Sequence, residues 1–338
     1  MWSRDGSCWR RSTGSKTGPK KRGGRLCWDF DALAREVVNG LKACAKLGKV
    51  PATLGVDTWG VDFALVDREG RVLGDTVAYR DSRTQGMDAL VEERIPAQEL
   101  YRRTGIQKQS FNTIYQLMAV KRQSPELLEQ AHRLLLVPDY LHYTLTGVMS
   151  NEYTEASTSG LVSAETKDWD RELLDLLGFP QKLFGTLSLP GTALGGLRPA
   201  LREELGFDCQ VVLPASHDTG SAFLAVPAGE GASVTLSSGT WSLLGVELEQ
   251  PVTTPESRAA NFTNEGGLPV PLPVSEEHHG PVDDPEPPAG DGRKRTAPRV
   301  WGAVPAGPGG GGLPRPGGRG RPQLYGPGEH VRRGTGLL

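Results

Sequence analysis

Asp218 and Thr240 are the residues whose type and spacing suit chemistry. Asp218 lies in Ser216-His217-Asp218-Thr219-Gly220-Ser221, and Thr240 follows in Leu236-Ser237-Ser238-Gly239-Thr240-Trp241-Ser242. A positioned carboxylate can accept the proton of a hydroxyl. A glycine-centred turn rich in hydroxyls can present N–H donors to a phosphate oxygen and hydroxyl oxygens to the Mg2+ shell that accompanies it. Each block follows an apolar, β-prone run, Val211 to Pro214 and Val234 to Leu236. Both therefore fall at the carboxyl end of a predicted strand, where open α/β sheets bind ligands.

Every one of these residues also has an ordinary structural use. Asp218 can cap a helix beginning near Gly220, since Asp is a favoured N-cap. His217 is either a hydroxyl ligand or a loop histidine. Ser237 to Thr240 can form a tight hairpin, and Gly60, after Trp59, is a site of close ligand approach or a β-bulge. Trp59 can stack on a sugar face or pack in the core. Arg80 and Arg83 flank Asp81 and can pair with it or reach a substrate. A serine-hydrolase triad is excluded for Ser216-His217-Asp218, because consecutive residues project their side chains apart.

The elements that must hold these residues are legible in the hydrophobic pattern. Asp29 or Asp31 can cap a helix with Leu33, Val37, Leu41 and Cys44 on one face, ending by Gly48. Strands are expected at Thr53 to Val56, Val61 to Val66 and around Val72-Leu73, with a turn at Asp67 to Gly70. Helices are expected around Met87 to Glu93, Ala97 to Arg103, Ile114 to Arg122 and Glu126 to Arg133, followed by the apolar run Leu134 to Val137. Continued alternation to about Leu248 argues for an α/β sheet with helical cover.

At 338 residues, 37% hydrophobic and 23% charged, the chain can bury one large core or two ordinary ones. A formal net charge of -2 gives no global attraction to nucleic acid or to acidic membranes. No apolar stretch approaches the roughly 20 residues needed to span a bilayer. The basic N-terminus lacks a following apolar region, so a secretory signal is not expected. Cys8, Cys27, Cys44 and Cys209 form no CxxC pair and no zinc spacing, which suits a reducing cytoplasm. Residues 1 to 25 are basic and aperiodic and are expected to be disordered, with salt-sensitive nucleic-acid binding as the competing use of such a tail. Residues 268 to 338 are about 40% Pro plus Gly, and no packed domain is expected there.

Read together and in order, several blocks resemble the FGGY carbohydrate kinases. They are Gly55-Val56-Asp57-Thr58-Trp59-Gly60-Val61-Asp62-Phe63, Ala78-Tyr79-Arg80-Asp81-Ser82-Arg83 and Phe111-Asn112-Thr113-Ile114-Tyr115-Gln116-Leu117. Pro138-Asp139-Tyr140, Asn151-Glu152-Tyr153-Thr154, Ser216-His217-Asp218-Thr219, Ser237 to Trp241 and Asn261 to Gly267 complete the set. The resemblance runs from about Leu26 to Gly267. It implies an actin-like (ribonuclease H-like) α/β fold with sugar and ATP in a cleft. Asp218 would match the catalytic base; Gly60, His217 and Thr219 would match sugar-binding positions, and Thr240, beside Gly239, an ATP-binding position. The implied reaction transfers the ATP γ-phosphoryl, with Mg2+, to the 1-hydroxyl of L-rhamnulose in a monomeric cytoplasmic enzyme without nucleic-acid or membrane partners. Xylulose or fuculose is the alternative acceptor, and an inactive fragment with residual sugar binding the alternative state.

The resemblance also divides the chain. Residues 26–245 correspond to the first domain without its opening strands and phosphate loop, and residues 246–267 to the start of the second. Both flanking segments are expected to be out-of-frame translation, and little turnover is expected of the chain as it stands.

Overall fold

The computed structural model describes residues 14–15, 17–226, 234–238, 242–268 and 300–306. Two short strands, β1 (Lys20–Arg22) and β2 (Arg25–Cys27), pair antiparallel around Gly23 and Gly24, both at positive φ. This corrects the aperiodic reading of residues 1 to 25 at its C-terminal end. Glycine tolerates the left-handed conformation such a turn requires.

Helix α1 (Phe30–Lys46) starts where the Asp29 carboxylate accepts a hydrogen bond from the Ala32 N–H at 2.9 Å. Leu33, Val37 and Leu41 recur every fourth residue and give it the apolar stripe that docks on the body of the protein. The chain then forms β3 (Thr53–Leu54), β4 (Phe63–Val66) and β5 (Val72–Leu73). Helices α2 (Met87–Glu92), α3 (Ala97–Thr104), α4 (Thr113–Gln123) and α5 (Pro125–Gln130) follow, then β6 (Arg133–Leu136) and α6 (Val137–Thr146).

Strand β4 explains the layering. Its four residues Phe-Ala-Leu-Val are all buried, because β4 is the middle strand of the sheet β5-β4-β6 and both faces are covered. Side chains alternate across a strand, so Phe63 and Leu65 enter one core while Ala64 and Val66 enter another. Its antiparallel neighbour β6 repeats the division, Leu134 and Leu136 to the first core and Leu135 to the second. The first core is closed by Met87 and Val91 of α2, Ile114 and Leu117 of α4, and by leucines of α8 (Arg171–Leu177). The second is closed by Phe30 of α1 and by Tyr140 and Leu141 of α6.

A second sheet has the order β3-β10-β9, with β10 (Gln210–Val212) parallel to β3 and antiparallel to β9 (Ala193–Gly196). Strand β7 (Asn151–Glu152) pairs with β8 (Leu187–Ser188) and leads into α7 (Tyr153–Ser157). Helix α9 (Pro199–Leu205) precedes β10, and α10 (Asp218–Leu224) follows it. The remaining sheet, β11 (Val234–Ser238), β12 (Ser242–Leu248), β14 (Val300–Ala306) and β13 (Thr263–Gly266), is antiparallel throughout, and α11 (Pro255–Ala259) lies between β12 and β13 in sequence.

Several expected boundaries move. Strand β3 stops at Leu54, since the Val56 N–H turns to the His142 ring at 3.0 Å instead of a neighbouring strand. The run expected from Val61 begins at Phe63, because Val61 sits at φ 70, a conformation no extended strand allows. Helix α5 ends at Gln130, and Arg133 already belongs to β6. The expected domain boundary at 245/246 falls inside β12. Past residue 268, where no packed domain is expected, β14 pairs its backbone with both β12 and β13.

The first core gives a direct stability test. Leu117 has no exposed surface and lies at the middle of α4. Leu117→Ala should cost about 2–5 kcal/mol, the usual range for a leucine truncated in a close-packed interior. Urea unfolding checks this as a lower midpoint at unchanged slope.

Candidate active site

The carboxyl ends of the parallel strands β3 and β10 lead into the loops Asp57 to Gly60 and Ser216 to Asp218. Backbone hydrogen bonds join the two loops: Thr58 N–H donates to Ser216 O at 2.9 Å, and Asp218 N–H donates to Thr58 O at 2.8 Å. Thr58 and His217 thereby form a parallel β-bridge outside the named strands. Gly60, His217, Asp218 and Thr219, which the sequence places in separate motifs, are brought to one end of one sheet.

Asp218 is the first residue of α10, and His217 occupies the cap position without a side-chain capping bond. The helix-cap reading of Asp218 is therefore corrected. Its carboxylate is half exposed, with 50% of the side chain accessible, and its Oδ1 accepts from the Thr219 hydroxyl at 3.1 Å. His217 is buried, and its backbone N–H donates to the Thr154 hydroxyl at 3.3 Å. Gly60 lies in a bend before β4, outside any strand, which disposes of the bulge. A Cβ there would stand 2.9 Å from Thr158 Oγ1, so glycine is what lets this loop lie against the end of α7.

Val61 shapes the same loop. A β-branched residue at positive φ costs on the order of 1–3 kcal/mol and persists only where its surroundings impose it. Here the Val61 carbonyl accepts from Thr113 Oγ1 at 2.8 Å and from Gln116 Nε2 at 3.1 Å. The next residue, Asp62, is fully buried and accepts from Trp28 Nε1 at 2.6 Å, Trp59 Nε1 at 3.0 Å and Gln116 Nε2 at 3.1 Å. Trp59 packs against Trp28, with ring centroids 4.4 Å apart, and its indole N–H is committed to Asp62, so core packing is its role.

Arg83 donates to Gln116 Oε1 at 2.7 Å, and its guanidinium is held down to about 10 chiefly by burial. Asp81 instead accepts the backbone N–H groups of Leu26 and Arg83, and Arg80 donates to the Tyr79 hydroxyl. No Arg80–Asp81 or Arg83–Asp81 ion pair forms among the described residues.

Acidic residues that the motif reading left without a role complete the site. Glu152 caps α7, accepting from Thr154 N–H, Glu155 N–H and Thr154 Oγ1, and reaches across to the Ser216 N–H at 3.0 Å. Burial pushes its carboxyl up, and these donors pull it back. Asp57 is raised by burial and further by the charge of Asp218. Glu265 Oε2, on β13, stands 3.0 Å from His217 Nδ1. Glu155 has no exposed surface, and among the described residues neither of its side-chain oxygens has a hydrogen-bond partner. Burial holds its carboxyl well above the usual range, and the charges of Asp139, Glu152, Asp218 and Glu265 raise it further.

Burial lowers the His217 imidazole, but Glu265, Asp218 and Glu152 outweigh that, and its net shift is upward. Gly239 and Thr240 lie outside the described residues. The strands flanking them pair antiparallel, Ser238 opposite Ser242, and α10 packs beside β11. No cluster of three or more His, Cys, Asp or Glu among the described residues forms a metal-ligand set, and no described helix is long and apolar enough to cross a membrane.

Residues 12–225 match the N-terminal domain of the FGGY family of carbohydrate kinases. The chain is 48% identical over 248 residues to a rhamnulokinase of Halalkalibacterium halodurans, covering 73% of this chain and 53% of that protein. It is 50% identical over 242 residues to one of Oceanobacillus iheyensis, covering 72% and 51%. The chain thus spans about half the length of these relatives. Among solved structures, a ligand-bound xylulose kinase from Lactobacillus acidophilus superposes with a TM-score of 0.66 at 18% identity, covering 85% of this chain and 53% of that one. A Plasmodium falciparum glycerol kinase with ADP superposes with a TM-score of 0.62 at 14% identity, covering 86% and 55%. These likenesses establish the actin-like sugar kinase fold.

Burial in the folded chain holds the Glu155 carboxyl well above its ordinary value, and unfolding removes that burial. The stability tied to that proton is complete below the unfolded carboxyl value near 4.5 and is lost as pH rises toward the folded value. Glu155→Gln removes the ionisation. Thermal melts from acid to alkaline pH should show the variant gaining on the parent as pH rises, and parallel curves would refute the assignment.

Proposed function

The chain belongs to the FGGY family of carbohydrate kinases, and from that premise we propose that its site serves the ATP-dependent phosphorylation of L-rhamnulose to L-rhamnulose 1-phosphate. The rhamnulokinase relatives at 48% and 50% identity favour this acceptor over xylulose or fuculose. The observation that carries the chemistry is the half-exposed Asp218 carboxylate, at the end of β10 and bridged by backbone to the Gly60 loop.

Phosphoryl transfer asks a protein mainly to orient a hydroxyl, hold the phosphate in line and stabilise charge. Asp218 accepts the proton of the 1-hydroxyl as the new O–P bond forms, and the bond from the γ-phosphorus to the bridging oxygen breaks to release ADP. Gly60 supplies backbone approach, and His217 and Thr219 supply polar contacts to the sugar. Gly239 and Thr240 are assigned to the nucleotide phosphates. Mg2+ would accompany the nucleotide and offset the charge that develops on its phosphates. The free thiols of Cys27, Cys44 and Cys209 suit a cytoplasmic setting.

The test is ADP release with ATP, Mg2+ and L-rhamnulose, alongside calorimetric titration of the sugar. Asp218→Asn should lower release by at least about a hundredfold, the usual worth of a positioned base, while sugar affinity stays within a few-fold. Parent-like release from the variant overturns the role of Asp218, and tighter binding of D-xylulose or L-fuculose moves the acceptor.

A further inference from the structure

We infer that Glu265 is a positioning residue for the sugar-binding end of the site: it fixes the His217 ring through Nδ1 and keeps it cationic, so that Nε2–H faces the Asp218 side as a charged donor. The inference rests on the kinase reading above and adds to it a residue from a distant strand.

The geometry is specific. Glu265 Oε2 lies 3.0 Å from His217 Nδ1, and His217 Nε2 lies 3.8 Å from Asp218 Oδ1. The first approach brings a carboxylate oxygen within reach of a proton on Nδ1. Such a contact is strongest when the ring is protonated. Both side chains are nearly sequestered, 11% and 12% accessible, where charge attraction is far less screened than at the surface. The other acids whose charge reaches the ring are Asp218 on α10, Glu152 on β7 and Asp57 in the first loop.

Glu265 is held where it stands. The Gly266 N–H donates to Ser157 Oγ at 2.7 Å, tying β13 to α7. A Cβ at Gly266 would stand 2.7 Å from the Tyr153 ring, so the strand lies directly on that helix. On the other side, Asn264 donates from Nδ2 to Gly105 O at 3.1 Å and Val252 O at 3.0 Å. The remaining carboxylate oxygen, Oε1, accepts from the Thr263 hydroxyl at 3.3 Å. A carboxylate so tethered constrains the ring it faces. A charged donor to a sugar hydroxyl is stronger than a neutral one, and its loss is read in sugar affinity.

The full chain carrying Glu265→Gln tests this through two readouts. Ring 13C–1H spectra, with the His217 signal assigned by its disappearance in His217→Gln, should show the titration midpoint falling by about one unit or more in the variant. L-rhamnulose affinity should fall roughly tenfold near pH 8, and the deficit should close near pH 5.5, where the ring recharges. Glu265→Asp should restore part of both. An unchanged midpoint, or an affinity loss independent of pH, overturns the inference. If Glu265→Gln does not fold, His217→Gln decides: sugar affinity should fall roughly tenfold near pH 8 with a deficit that persists near pH 5.5, and parent-like affinity overturns the inference. No ADP release by the parent chain with ATP, Mg2+ and L-rhamnulose would sink the kinase reading while leaving the His217 titration to be judged separately.

Discussion

The pairing of Thr58 with His217 is the constraint on which the site depends. Two backbone hydrogen bonds, from Thr58 to Ser216 and from Asp218 to Thr58, hold together loops that are more than a hundred and fifty residues apart in the chain. The bonds resume parallel pairing, in a shifted register, past the point where β3 and β10 have ended. They fix where the Asp218 carboxylate emerges relative to the Gly60 loop. The strained Val61, clamped by Thr113 and Gln116, and the buried Asp62, clamped by two indoles and an amide, keep the first loop from drifting out of this pairing.

Around that pairing the protein distributes buried acids in two ways. Asp62 and Glu152 are surrounded by donors and serve as fixed struts, and removing either would orphan several buried N–H groups at about 1–3 kcal/mol apiece. Glu155 and Glu265 are different. Among the described residues Glu155 faces no donor and burial pushes its carboxyl up, whereas Glu265 meets the His217 imidazole. Charge near Asp218 is thereby set from several elements at once: β7, α7, α10 and β13.

Much of this was legible in the residues. The apolar run of β4 and the fourfold spacing of α1 foretell two buried faces and a docked helix, because side-chain period follows directly from backbone geometry. The motif blocks foretell the loops that meet, and the relatives confirm the family they point to. What could not be read is long-range. Nothing near Glu265 announces that its carboxylate meets a histidine 48 positions earlier, and nothing in Asn151-Glu152-Tyr153-Thr154 announces a bond to Ser216. Arg83 misled for the same reason: an adjacent aspartate is the obvious partner, yet the fold delivers Gln116 and gives Asp81 to backbone donors. The short strands β1 and β14 escaped because composition speaks of tendency, while pairing depends on which edge happens to be near.

Gly60 and Thr158 carry one more implication. The glycine is in contact range of the threonine's hydroxyl and methyl, and that hydroxyl also donates to the Glu155 carbonyl. The two positions are therefore sterically linked, one loop's vacancy being filled by the other's branch. Lineages of this protein should exchange these residues in concert, a bulkier partner at one arriving only with a slimmer one at the other, so that covariation between them would record the contact in sequence form.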